Sequence, residues 1–299
     1  MNLKKRNFNF LELAKTLTPI SMVLSFVGLI TLLILGFTYG IDFAGGNEVQ
    51  IQFEKQVTAE AIRNAVQSSG MESPLVQSFG ENNEFIIRVE MADDENENAK
   101  RLTLLKNSLE SHFKDKGGHI RRMDSIGPQI GKELRRNGVL AILYSLLMIL
   151  IYLGLRFDIK YAPSAVFCLF HDTIITLAIF SIFNLEVNAQ TLAAVLAIIG
   201  YSLNDTIVTF DRIRENHLLL QNKKPFFDIC NQSLNDVLSR TLLTSVTTLL
   251  AVGAMWVFAD GAIRDFAFTL AIGVVVGTYS SIYVATPLLI FMNRFKMFQ

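Results

Sequence analysis

Six long apolar segments divide this chain, and they restrict its fold more than any other feature does. They cover residues 19–39, 138–156, 161–183, 189–210, 240–259 and 265–292. An apolar run of about 18 residues or more is long enough to cross the hydrocarbon core of a bilayer. With 51% hydrophobic residues and a mean hydropathy of +0.37, the chain is too apolar for an ordinary soluble domain. The sequence therefore predicts an α-helical membrane protein with six transmembrane helices.

Positive charge predicts how these segments are oriented, because Lys and Arg in short loops mark the cytoplasmic side. The turns at 184–188 and 259–262 contain neither residue type. The basic residues lie at the opposite ends of the segments: Lys4, Lys5, Arg6, Lys15, Arg156, Lys160, Arg212, Arg214, Lys223, Lys224, Arg294 and Lys296. Both termini, residues 1–18 and 293–299, are therefore predicted to be cytoplasmic. The first segment follows a basic stretch as in a signal peptide, but it is too long for one and lacks a clear cleavage site, so we expect an uncleaved anchor.

The polar block at 40–137 is predicted to be one domain on the external side of the membrane. It has strand patterns at 47–54, 74–79, 84–90 and 119–126, a helix after Thr58, a second helix over 97–116, and a turn at 80–83. In the second helix, Leu102, Leu105, Leu109 and Phe113 repeat at three- and four-residue spacing. The order βαββαβ is typical of the ferredoxin-like α+β fold.

The stretch at 211–239 is polar and amphipathic. It is predicted either to lie as a helix at the cytoplasmic interface or to be a plain connecting helix.

Two glycine-containing motifs border the polar block. In GIDFAGG, at 40–46, Asp42 lies just outside the first segment, and the pair Gly45 and Gly46 predicts a tight turn or the close approach of another chain. IGPQIGKE, at 126–133, is not a P-loop, because three residues separate its glycines and glutamate follows the lysine. We therefore expect no ATP hydrolysis and no enzymatic activity from this chain.

Other function classes receive little support. The net charge of zero gives no indication of nucleic-acid binding. The four histidines show no metal-ligand spacing, so no metal site is expected. The two cysteines, Cys168 and Cys230, predict no disulfide framework.

Asp205 lies well inside the fourth segment, about 9 Å deep if Asp211 marks the interface. A carboxylate in hydrocarbon costs roughly 2.5–3.5 kcal/mol on insertion scales and usually has a function. Asp205 and the adjacent Asn204 are therefore candidates for a proton or ion pathway. Arg240 begins the fifth segment, and its long side chain either reaches inward to Asp205 or extends back to the interface. Thr244, Thr247 and Thr248 follow along that segment, where hydroxyls bond helix carbonyls or line a wet path.

Two further intramembrane features have alternative interpretations. His171 and Asp172, in the third segment, form either a secondary proton relay or a polar pair that holds helices together. Gly273 and Gly277, in the sixth segment, form a small-xxx-small pattern that allows close helix packing.

Several of these stretches together resemble the SecF family, subunits of the bacterial Sec protein-export machinery. They are GIDFAGG, FHDTIITLAIFSIF, GYSLNDTIVTFDRIREN and LSRTLLTS, with alanine at position 44 where the family is expected to have threonine. GIDFAGG is shared with the sister subunit SecD, but SecD has a much larger external region, so the short polar block favours SecF. The resemblance covers essentially the whole chain.

The resemblance implies a function and a set of partners. With SecD, such a subunit uses the proton-motive force to promote late steps of export across the bacterial inner membrane, with protons as the coupling ion and no bound cofactor. Asp205 and Arg240 match the family's proton-path positions. The implied partners are a SecD-like subunit, the SecYEG translocon, YajC, exported preproteins and membrane lipid, with no nucleic acid.

The alternative is a proton-driven small-molecule efflux transporter of the same superfamily, known as RND. Such pumps usually have larger external regions, and the block of about 95 residues is small for a drug pocket. A purely structural scaffold is a third interpretation, and it would make Asp205 dispensable.

Overall fold

The computed structural model describes residues 7–71, 74–79, 83–92, 94–157 and 161–294. Lys4, Lys5, Arg6, Lys160 and Lys296, which entered the topology prediction, lie outside the described residues, as do 80–82 of the predicted turn. The chain divides into two compact units. One unit contains residues 39–137, and the other contains the residues before and after that block.

The helical unit confirms the predicted membrane fold. The described residues contain six helical segments that are long and apolar enough to cross a bilayer. They are α1 (Phe10–Leu35), α5 (Pro128–Arg156), α6 (Ala162–Ile182), α7 (Ala189–Leu220), α8 (Phe226–Phe258), and a sixth segment composed of α9 (Gly261–Ser280), a π-helical stretch (Ser281–Ala285) and α10 (Thr286–Arg294). The protein is therefore a multi-pass membrane protein.

Several helices extend beyond the apolar segments that predicted them. α1 begins at Phe10 rather than at residue 19, and α5 begins at Pro128 rather than at residue 138. Hydropathy marks only the part of a helix that lies in hydrocarbon, whereas capping and polar contacts decide where the helix ends. At the start of α1, the side-chain oxygen of Asn231 accepts a bond from the Leu11 amide at 3.3 Å, and Asn235 bonds both backbone groups of Phe8.

The stretch at 211–239 does not form a separate interfacial or connecting helix, and in this respect the prediction was wrong. α7 continues to Leu220, a short turn follows at 221–225, and α8 begins directly after Pro225. Polar bonds hold the two extensions together, since the Arg212 guanidinium donates to Asp236 at 2.8 Å and the Asn216 amide donates to Ser233 at 2.9 Å. The amphipathic pattern arises because one face of each extension packs against the other helix.

The third, fourth and sixth segments form the centre of the helical unit, and glycine allows their close approach. A Cβ atom added at Gly277 of α9 would lie 2.9 Å from Ser202 Cβ of α7, and one at Gly273 would overlap the side chain of Ile198. These distances are shorter than normal carbon contacts. The predicted small-xxx-small pattern is therefore the surface on which α9 packs against α7.

The π-helical stretch in the sixth segment has a local cause. Pro287 has no N–H to donate to the carbonyl four residues earlier, and its ring clashes with that carbonyl. That carbonyl belongs to Tyr283, and the Thr18 hydroxyl of α1 donates to it at 2.6 Å. Neighbouring hydroxyls commonly satisfy backbone groups that proline frees in membrane helices.

The second unit confirms the predicted ferredoxin-like domain. Its elements are α2 (Ile41–Ala44), β2 (Gly46–Phe53), α3 (Ala59–Ser68), β3 (Leu75–Phe79), β4 (Glu84–Val89), α4 (Glu95–His112), a 3-10 turn (Lys114–Lys116) and β5 (Gly118–Ile126). A two-residue strand, β1 (Thr38–Tyr39), lies at the boundary of the two units and is not part of this sheet. The strands form an antiparallel sheet in the order β3-β4-β2-β5. A short strand, β6 (Glu186–Val187), lies in the helical unit between α6 and α7.

Local sequence signals fix the helices of this domain. Thr58 accepts a bond from the Ala61 amide and caps α3, and Asp94 caps α4 in the same way. Leu105, Leu109 and Phe113 are buried in the core between the helices and the sheet, as their spacing predicted. α4 ends earlier than predicted, because its last turn tightens into the 3-10 turn before Gly117, which has a left-handed φ of 65°.

Candidate functional site

The two glycine motifs lie against each other within the second unit, which includes residues 128–137 at the start of α5. GIDFAGG forms the single helical turn α2, followed by Gly45 with φ of 77° and Gly46 with φ of 125°. A Cβ at Gly45 would lie 2.8 Å from Pro128 Cα, and a Cβ at Gly131 would lie 2.8 Å from the Phe43 carbonyl oxygen. The approaching chain is therefore the IGPQIGKE stretch itself. The sequence of that stretch had indicated only that it is not a P-loop.

Asp42 lies in the first turn of α2. A carboxylate is favourable there, since the free amide groups at a helix N-terminus carry partial positive charge.

Asp205 lies on α7, and only 3% of its surface is exposed. Its Oδ2 atom has no hydrogen-bond partner among the described residues. A buried carboxylate oxygen without a donor is costly, because it has lost its water and gained no replacement. Asp205 therefore has the property expected of a group that binds a proton or that meets a donor from outside this chain.

The two predicted neighbours of Asp205 face away from the buried centre. Asn204 and Arg240 are both exposed. Arg240 does not form an ion pair with Asp205, but it is near enough to interact with that carboxylate electrostatically. Neither predicted alternative therefore describes Arg240 fully. Its side chain does not form an ion pair with Asp205, but its positive charge still interacts with the carboxylate of that residue.

Thr244 and Thr248 do not reach Asp205. The Thr244 hydroxyl donates to the backbone oxygens of Arg240 and Thr241, at 3.0 and 2.9 Å. The Thr248 hydroxyl donates to the Thr244 carbonyl at 2.9 Å. Thr247 likewise bonds its own helix. These bonds correspond to the carbonyl-bonding alternative, whereas a wet path along α8 remains a prediction.

His171 and Asp172 belong to a polar cluster where three spanning segments meet. Asp172 Oδ1 lies 2.9 Å from His171 Nδ1. Asp172 Oδ2 accepts bonds from the Ser202 hydroxyl of α7 at 2.6 Å and from the Ser280 hydroxyl of α9 at 2.8 Å. The four side chains are at most 3% exposed. Both oxygens of Asp172 are thus satisfied, in contrast to Asp205.

Sequence reasoning missed Ser202 and Ser280, because isolated serines are common in membrane helices. A signal was nevertheless present. Ser280 follows Gly277 by three residues and so lies on the face that the glycines bring against α7. Cys168 is also part of this region, since it is fully buried and interacts with the side chains of Ser280 and Thr206.

Comparison with protein families identifies two matching regions. Residues 105–295 match the C-terminal region of the protein export membrane proteins SecD and SecF. Residues 30–57 match the SecD/SecF GG motif, which includes Gly45 and Gly46.

Individual relatives match over nearly the full length. The protein translocase subunit SecF of Desulfurispirillum indicum is 40% identical over 294 residues, which are 97% of this chain and 93% of that protein. The SecF subunit of Rickettsia rickettsii is 39% identical over 291 residues, which are 97% and 94% of the two chains.

A solved structure shows the same fold. The crystal structure of SecDF from Thermus thermophilus, described as a translocon-associated membrane protein, superposes with a TM-score of 0.86 at 35% identity. The match covers 98% of this chain and 40% of that one, so this chain spans less than half of the SecDF polypeptide. A second SecDF structure, in a form called super-membrane-facing, superposes with a TM-score of 0.71.

Proposed function

This chain belongs to the SecF family of protein translocase subunits, and from that premise we propose that it uses the proton-motive force to promote late steps of protein export. The SecF relatives that match nearly the whole chain, together with the SecDF fold, support a place in the Sec machinery. The coupling to protons is our proposal.

The observation that carries the coupling is the environment of Asp205. The carboxylate is buried within a spanning helix, and its Oδ2 has no bond among the described residues. Hydrogen bonds or an ion pair would fix such a group in one charge state. Since the side chain lacks these bonds, a change in its surroundings has a direct effect on whether it holds a proton.

The available energy is sufficient for a conformational step. Moving one charge through 100 mV supplies about 2.3 kcal/mol. That energy changes a two-state equilibrium about fiftyfold. Arg240 contributes a nearby positive charge without an ion pair, so its attraction for Asp205 varies as the helices move.

We further propose the surroundings in which this occurs. The chain resides in the bacterial inner membrane with both termini in the cytoplasm and residues 40–137 in the periplasm. It acts with a SecD-like subunit, which is consistent with its match to 40% of a SecDF chain. SecYEG, YajC and exported preproteins are the other proposed partners. Protons are the coupling ion, with no cofactor and no ATP hydrolysis by this chain.

The test is preprotein export into inverted membrane vesicles, with and without a proton gradient. Vesicles that contain this chain and its SecD-like partner are compared with vesicles that lack this chain. We expect the gradient to stimulate export more strongly when the chain is present. Drug susceptibility of the same cells is measured in parallel. Altered susceptibility with unchanged export would contradict the proposal and support an efflux transporter.

A further inference from the structure

The Asp172 cluster joins three helices through one buried carboxylate. Asp172 belongs to α6, Ser202 to α7 and Ser280 to α9. The Ser280 hydroxyl has a single proton and lies 2.8 Å from Asp172 Oδ2 but 3.1 Å from the Gly277 carbonyl oxygen. The shorter distance favours the bond to Asp172. This carboxylate therefore fixes the positions of two neighbouring helices.

Ser202 relates this cluster to Asp205. The two residues are three positions apart on α7, less than one helical turn. A bond at Ser202 therefore limits how far α7 can rotate about its axis, and the same rotation sets the direction of the Asp205 side chain. The contact between Ser202 and Gly277 is too close for another side chain to enter, so the bond has little room to rearrange.

Ser280 relates the cluster to an irregular part of the sixth segment. The π-helical stretch begins at the next residue, Ser281, and the Thr286 hydroxyl bonds the Ser281 carbonyl at 3.1 Å. Single-turn π-helical stretches are frequent at functional sites and are places where a helix bends. If the bend of the sixth segment changed at this stretch, the bond between Ser280 and Asp172 would therefore be directly affected.

We propose that Asp172 is a positioning residue for Asp205. It sets the rotation of α7 through Ser202, and it couples that rotation to the π-helical stretch of the sixth segment through Ser280. This inference rests on the proposed function in one respect, namely that Asp205 is the group that carries the proton. The positioning itself is a property of the helices and is measurable without a proton gradient.

The experiment places a reporter at the positioned residue. Asp205→Cys is expressed in the full chain together with its SecD-like partner, and membranes are treated with N-ethylmaleimide. Mass spectrometry reads alkylation at position 205 separately from that at Cys168 and Cys230. The rate is then measured with Ser280→Ala, with Ser202→Ala and with Ser281→Ala. Ser281 is the matched control, since it is equally buried but its hydroxyl donates only to Thr278 of its own helix.

We expect Ser280→Ala and Ser202→Ala each to change the alkylation rate at position 205 by about tenfold, the scale set by losing one buried hydrogen bond. Ser281→Ala should remain within about twofold of its parent, since it alters no bond to Asp172. In an Asp172→Asn background, Ser280→Ala should have a smaller effect than in the parent, because the two residues act through the same bond. Equal rates for Ser280→Ala and Ser281→Ala would overturn the proposal.

A second readout keeps the two hypotheses apart. With native Asp205, Ser280→Ala should lower gradient-dependent export while Ser281→Ala leaves it unchanged, at matched protein levels. If Asp205→Asn proves fully active in export, the proton assignment fails, yet the alkylation rates still decide whether Asp172 positions α7. If Ser280→Ala changes neither alkylation nor export, the positioning role fails, whatever Asp205 does.

Discussion

Asp172 and Asp205 are two buried aspartates of the helical unit, and they differ in whether their carboxylate oxygens have hydrogen-bond partners. Asp172 accepts bonds from two serine hydroxyls, whereas Asp205 has an oxygen without a partner among the described residues. Burial without a bond is costly, so the difference separates a residue that holds structure from one suited to change its charge. The same residue type thus occupies two different environments on adjacent helices.

Glycine at position 277 makes the contact between α7 and α9 possible. We expect Gly277→Ala to lower the free energy of unfolding by about 1–3 kcal/mol, because the new Cβ would overlap Ser202 and force the helices apart. Thermal unfolding of the detergent-purified protein measures the change. Gly253→Ala is the control, since nothing lies within 4 Å of a Cβ there. It should be neutral or slightly stabilising, and equal destabilisation by both variants would contradict the packing argument.

Residues of the candidate site were predictable from the sequence to different degrees. Asp205 was recognisable because a charged residue in an apolar run is rare. The position of Arg240 relative to Asp205 was not predictable, because the exposure of Arg240 depends on how α8 is rotated against its neighbours. Ser202 and Ser280 gain their importance only from the glycine contact that brings two distant parts of the chain together.

Helices and strands followed from local patterns, but their ends did not. The apolar runs predicted all six spanning helices, and alternation predicted the four strands of the ferredoxin-like sheet. The extensions of α7 and α8 were missed, because their amphipathic faces pack on each other through bonds such as Arg212 to Asp236. In the sequence, two polar helices that pack on each other show the same amphipathic period as one helix at the membrane interface. The pattern therefore does not distinguish the two cases.

The π-helical stretch gives an element-level prediction. Thr18→Val should destabilise the protein by about 1–3 kcal/mol, since the Tyr283 carbonyl loses its hydroxyl donor. In a Pro287→Ala background the new N–H at position 287 can donate to that carbonyl, so Thr18→Val should cost less. A double-mutant cycle on unfolding of the purified protein measures this coupling. If the effects of Thr18→Val and Pro287→Ala on the free energy of unfolding were additive, Pro287 would not be the cause of the π-helical stretch.

The ferredoxin-like domain is predicted to fold on its own. Residues 46–126 contain all four strands, both helices and the apolar core between them. We therefore expect this fragment to fold alone and to give a dispersed amide NMR spectrum. A collapsed, poorly dispersed spectrum would contradict an autonomous domain.

For the whole molecule, the charge pattern predicts one orientation in the membrane. Reporter fusions at residues 80, 186 and 260 should be external, and fusions at 158, 222 and 297 should be cytoplasmic, because Lys and Arg of the short loops lie on the cytoplasmic side. An external signal at residue 222 would contradict the six-span arrangement, since this position lies in the turn between α7 and α8.

Asp205 is the residue through which we propose that the proton gradient is coupled to export. Asp205→Asn nearly preserves the shape of the side chain but cannot change its charge, so packing should survive while proton binding is lost. Asp211→Asn is the matched control, because it makes the same change at an exposed position of the same helix.

The most direct measurement is gradient-dependent preprotein export into inverted vesicles that contain each variant at matched levels. We expect Asp205→Asn to assemble with its SecD-like partner but to lose the stimulation by the gradient, while Asp211→Asn keeps it. Full stimulation with Asp205→Asn would show that Asp205 does not couple the gradient to export, and it would leave the chain as a structural scaffold.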